Sequence, residues 1–74
     1  MPPLPRNVRQ EQVIRALIRA GGIESRRLGK GSHKRVTMPS GVKVTIPSGI
    51  LKPGTLSSVI KQAGLSVEEF LDLL

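Results

Sequence analysis

Val42-Lys43-Val44-Thr45-Ile46 is the stretch that most narrows what this chain can become. Apolar β-branched residues at every second position, with Lys43 and Thr45 between them, describe a strand with one buried face and one wet face. Pro39-Ser40-Gly41 is a turn triplet just before it, and Pro47 stops it. Such a strand needs a neighbour and a cover. Ser32 to Met38 is the natural neighbour, because it alternates as well: Val36 and Met38 fall on one side, His33, Arg35 and Thr37 on the other. Paired as a hairpin, the two runs carry His33, Arg35, Thr37, Lys43 and Thr45 toward solvent. Ile23 to Leu28, short and mixed, is the candidate for a third strand.

The cover comes from either side of the hairpin. Gln10, Val13, Ile14, Leu17 and Ile18 recur at helical spacing. Asn7 as N-cap with Gln10 as its capping-box partner, and Gly21-Gly22 as the stop, predict a helix over 7–20. Leu56, Val59, Ile60 and Ala63 mark a second helix, with Thr55 expected as its cap and Gly64-Leu65 as a Schellman ending. Ser66 and Glu69 form another capping box, opening a short helix with Phe70, Leu71 and Leu74. The predicted order is α-β-β-β-α with a terminal helical turn: one α+β domain over 1–74, after an extended proline-rich lead-in at 1–6. A chain of 74 residues has room for no more. Its 38% hydrophobic content is compatible with a folded domain rather than a disordered tail.

Charge limits the partners. Twelve basic residues against five acidic ones leave +7, and three of the acids (Glu68, Glu69, Asp72) lie in the last seven residues. Nucleic acid, an anionic membrane surface or an acidic protein are the physical candidates. No apolar run approaches the roughly 20 residues of a membrane span, and Met1-Pro2-Pro3-Leu4-Pro5 lacks a signal-peptide core. The expectation is a soluble, cytoplasmic protein with no membrane partner. Phe70 is the only aromatic residue of the Phe, Trp and Tyr set, so base stacking on aromatic platforms is excluded. Contacts to RNA would run through phosphates and 2′-hydroxyls. With no cysteine, one histidine and no acidic cluster, neither a metal site nor a cofactor is expected.

The chemistry-bearing stretch is Gly29-Lys30-Gly31-Ser32-His33-Lys34-Arg35, a basic glycine turn that opens onto a strand and holds the only histidine. Imidazole exchanges protons near neutral pH as a class, and the surrounding cations suit a phosphate-bearing partner. By itself Gly-Ser-His is also an ordinary surface turn, and the basic strand residues an ordinary solvated sheet face.

Further motifs change that balance. Gly31-Ser32-His33, Pro39-x-Gly41, Val44-Thr45-Ile46-Pro47, Lys52-Pro53-Gly54-Thr55-Leu56, Ile60-Lys61-Gln62-Ala63-Gly64-Leu65 and Glu69-Phe70, in this order, resemble the HicA (YcfA-like) toxins. Leu4-Pro5 and Ala16-Leu17 with Ala20-Gly21 fit as well, so the resemblance covers nearly the whole chain. It implies a fold similar to the double-stranded-RNA-binding domain, with a three-stranded antiparallel sheet packed on two helices. It also implies a messenger-RNA-cleaving toxin, silenced by a HicB-like antitoxin, with His33 as catalytic residue. Lys30, Gly31, Ser32, Lys34, Arg35 and Lys43 are the expected RNA-binding residues, with Lys34 expected on the face opposite His33. Two positions depart from the family pattern: Ser48-Gly49 follows Pro47 where many relatives have a further histidine, and Ser57 stands where arginine is frequent. If that second histidine acts as acid or phosphate ligand in relatives, its absence lowers activity here. The leading expectation is a metal-independent endoribonuclease. The alternatives are a non-catalytic RNA-binding module using the same basic sheet face, and a domain that docks only on an acidic protein.

Overall fold

The computed structural model describes residues 4–25 and 33–74. Its elements run β1 (Val8–Arg9), α1 (Gln10–Arg19), β2 (Ile23–Glu24), β3 (Lys34–Thr37), β4 (Lys43–Ile46), β5 (Ile50–Leu51), α2 (Pro53–Gln62) and α3 (Val67–Leu73). The main sheet is antiparallel in the order β2-β3-β4, with Ile23 opposite Thr37, Val36 opposite Val44 and Lys34 opposite Ile46. This is the expected α+β arrangement, compatible with a fold like the double-stranded-RNA-binding domain. The expected turn at Gly29-Lys30-Gly31, and the part of the first strand beyond Ser25, lie outside the described residues.

The helices cover one face of the sheet. Val13, Ala16 and Leu17 of α1, Leu56, Val59 and Ile60 of α2 and Phe70 of α3 enclose Val36, Val44 and Ile46 in a single cluster. Burying each of these larger side chains contributes roughly 1.5–3 kcal/mol relative to exposure. Glycines close the first two helices in the same way. Gly21 and Gly64 take positive φ (100° and 77°), and the amides of Gly22 and Leu65 reach back to the carbonyls of Leu17 and Ile60 at 2.9 and 3.2 Å. Ser66 and Glu69 form the expected capping box, with the Glu69 amide donating to Ser66 Oγ and the Ser66 amide to Glu69 Oε1.

Other expectations need correction. The first helix starts at Gln10, not at 7, because Val8 and Arg9 pair with Leu51 and Ile50 in a small second sheet. Asn7 is therefore not the cap: it sits at φ 62°, and Arg9 is the N-cap, its amide donating to Gln12 Oε1. Thr55 does not cap α2, since Pro53 occupies the first turn and Lys52 the N-cap. Val42 is exposed beside the hairpin turn, and Ile18 is exposed on α1, whereas Ala16 is buried. The terminal turn is a full helix of seven residues. Leu4 of the lead-in packs against the core.

Gln10 is the one buried polar residue among those described. Its Nε2 donates to the Ile46 carbonyl and its backbone amide to the Gly49 carbonyl, both at 3.0 Å. The start of α1 thus grips both ends of the Pro47–Ser48 loop that follows β4.

Candidate nucleic-acid interface

Strand alternation decides what each face of the sheet offers. Val36 on β3 and Val44 and Ile46 on β4 point at the helices and are buried. Arg35 and Thr37, and opposite them Thr45 and Lys43, therefore stand on the open face. Arg35, Lys43 and Thr45 are exposed there, and Thr37 is half-buried. Ile23 of β2 lies in the same cross-strand row as Thr37 and Lys43 and is 73% exposed. His33, also exposed, directly precedes β3, and the alternation continued one residue back sets it on the side of Arg35. Among the described residues, this face carries an imidazole, a guanidinium, an ammonium and hydroxyls, and no carboxylate.

Lys34 is not part of that group. It shares the helix-facing side of β3 with Val36, is half-buried, and lines a shallow groove with Glu11, Ile14, Arg15, Ile18 and Glu24. Two of the chain's five acids lie in that groove. The structure therefore brings together His33, Arg35 and Lys43, and sets Lys34 apart. Lys30, Gly31 and Ser32 lie outside the described residues.

The sequence offered Gln10 as the capping-box partner of Asn7, and the structure gives it a different task. Gln10 holds the loop after β4, and the Lys34–Ile46 register puts that loop alongside His33 at the same end of the sheet. The signal for it was a glutamine inside an otherwise apolar helical stripe. A polar side chain there must find a hydrogen bond when buried, and no buried side-chain polar atom among the described residues lacks one.

No group of three or more histidine, cysteine, aspartate or glutamate side chains converges among the described residues. No described helix is long and apolar enough to cross a membrane. A comparison with curated proteins returned no match. A family model described as the HicA toxin of bacterial toxin–antitoxin systems matches residues 11–65, from the first turn of α1 through the Schellman ending of α2. With most of its length inside that match, the chain belongs to the HicA toxin family, the toxin side of a toxin–antitoxin pair.

Proposed function

We propose that this toxin is a metal-independent endoribonuclease that cleaves messenger RNA, with His33 as general base. The imidazole accepts the proton of a 2′-hydroxyl, O2′ attacks the adjacent phosphorus, and the P–O5′ bond breaks. The products are a 2′,3′-cyclic phosphate and a 5′-hydroxyl, the leaving oxygen taking a proton from water or a lysine. Arg35 and Lys43 attract the phosphates and offset charge on the phosphorane oxygens. Lys30, Gly31 and Ser32, directly before His33 in sequence, are proposed to complete the RNA contact, Ser32 as a hydrogen-bond donor. Lys34 contributes general attraction only, given its place on the helix side. The HicB-like antitoxin is proposed to be acidic and to cover this face, and the reaction to take place in the cytoplasm, where messenger RNA is found.

The observation that carries the reading is the carboxylate-free sheet face with His33, Arg35 and Lys43 in a chain of the HicA toxin family. The test is cleavage of a long single-stranded RNA in EDTA. Wild type should cut it, and His33→Ala should cut about 10²–10⁴-fold more slowly while binding RNA with nearly unchanged affinity. RNA that shifts in mobility but stays intact with wild type would identify a binding module instead, a reading favoured by Ser48-Gly49 standing where many members of the resembled family have a further histidine.

A further inference from the structure

We infer that the outer edge of β4 accepts, by antiparallel strand addition, an extended segment of the antitoxin with acidic residues at alternate positions. The inference rests on the toxin–antitoxin assignment and adds how the partner is held. The Met38 amide donates to the Val42 carbonyl at 2.8 Å, which makes 38–42 a hydrogen-bonded pair of the β3–β4 ladder. Such pairs alternate along an antiparallel ladder, so Val44 and Ile46 turn their backbone groups toward β3. The amides and carbonyls of Lys43 and Thr45 then point away from the sheet. Among the described residues no turn, loop or cap hydrogen bond engages them, and both residues are exposed. β4 contains no proline, so each of its residues keeps a backbone amide, and Lys43, a charge that discourages pairing with a neutral or basic strand, favours an acidic one.

The opposite edge is a poorer template. The Ser25 amide donates to the Arg35 carbonyl at 2.8 Å, so Ile23 and Ser25 face β3, and only Glu24 of the two-residue β2 offers outward backbone groups. Its carboxylate also repels an acidic partner.

Charge selects the occupant. An added strand lies about 4.8 Å from β4, and its residues opposite Lys43 and Thr45 project onto the open face. A carboxylate opposite Lys43 meets the ammonium directly. One opposite Thr45 lies within the span of the long Arg35 side chain, because Arg35 and Thr45 are cross-strand partners. A second copy of this chain, itself at +7, brings the wrong sign. Carboxylates in these positions also occupy the side chains proposed for RNA phosphates, so the same contact that holds the partner displaces the substrate.

The test uses the full chain, ¹⁵N-labelled, with an acetylated and amidated octapeptide of alternating glutamate and threonine. In antiparallel addition, the peptide residues opposite Lys43 and Thr45 are the glutamates, and their amides face β4. At saturation, exchange of the Lys43 and Thr45 amides should slow at least tenfold, with Val44 and Ile46 unchanged. N-methylation of the glutamates should abolish binding, and N-methylation of the threonines should leave it within about twofold. Thr45→Pro removes the outward amide without touching the β3–β4 ladder and should weaken binding at least tenfold, whereas Thr45→Ala should not. If Thr45→Pro does not fold, the two methylated peptides decide on the wild-type chain. Equal binding of both methylated peptides, unchanged exchange at Lys43 and Thr45, or a self-association lost in Thr45→Pro would each overturn the inference. RNA cleavage by the chain without peptide is scored separately: cleavage with no peptide binding rejects the edge and leaves the nuclease reading standing.

Discussion

Gly22→Ala should damage this protein far more than a single methyl suggests. Gly22 is buried where α1 hands over to β2. A Cβ built there would lie 2.7 Å from Val36 Cγ1, 2.8 Å from the Leu17 carbonyl oxygen and 3.1 Å from Met38 Sδ. Methionine can swing aside. The other two cannot do so cheaply: Val36 is locked in the core, and the Leu17 carbonyl already accepts the Gly22 amide at 2.9 Å. Overpacking typically costs about 1–3 kcal/mol, and a clash that involves backbone belongs at roughly 2–3 kcal/mol of that range. In a domain of 60–100 residues, about 1 kcal/mol lowers the melting temperature by roughly 4–8 °C. The expected drop is therefore about 8–24 °C. Total stability for 74 residues is on the order of 4–11 kcal/mol. Gly54→Ala is the control, because Gly54 lies in the first turn of α2 with nothing within 4 Å of its added Cβ. It should stabilise by about 0.4–1 kcal/mol. Thermal melts followed by circular dichroism would read both. A Gly22→Ala variant that melts at or above wild type would refute the steric reasoning, and with it the packing of β3 against the end of α1.

Leu17→Ala removes a fully buried side chain and should cost about 2–5 kcal/mol by denaturant unfolding. Ser66→Ala loses the acceptor for the Glu69 amide and should cost about 0.5–2 kcal/mol in the same assay. Gln10→Met keeps the length of the side chain but not its bond to Ile46. About 0.5–1.5 kcal/mol should be lost, with faster amide exchange in the loop after β4. Arg35→Ala combined with Lys43→Ala should weaken RNA binding and flatten the plot of log affinity against log salt by about 1.4, two single-strand phosphate contacts at roughly 0.7 each.

Local rules carried most of the architecture. Val44 and Ile46 are buried and Lys43 and Thr45 exposed because a period of two admits no other half-buried strand. Gly21 and Gly64 end helices because their positive φ favours glycine. The misread helix starts failed for a different reason. Val8 and Arg9 find partners at Leu51 and Ile50, far away in sequence, and that pairing pre-empted the cap offered by Asn7. At Thr55 two local signals competed, and proline at the first helical position prevailed over a hydroxyl two residues later. The candidate site was legible as far as face parity goes: His33 with Arg35, and Lys34 on the other side. That Lys43 joins them depends on hairpin register, and a shift of one residue would have turned it toward the helices.

Among the described residues, β3 alone in the main sheet has a neighbour on both sides, its backbone groups alternating between β2 and β4 while Val36 sits at zero exposure beneath the helices. The two-residue strands and the ends of α3 can open locally at little cost, but β3 can come loose only with the core. His33, one residue upstream, thus adjoins the central strand of the main sheet. On the proposed role of His33, heat should therefore inactivate this toxin along the same curve that unfolds it, with no cooler regime in which the fold persists and the strand beneath the histidine has slackened. For a site built this way, control is expected to come from a bound partner, in keeping with a toxin that belongs to a toxin–antitoxin pair.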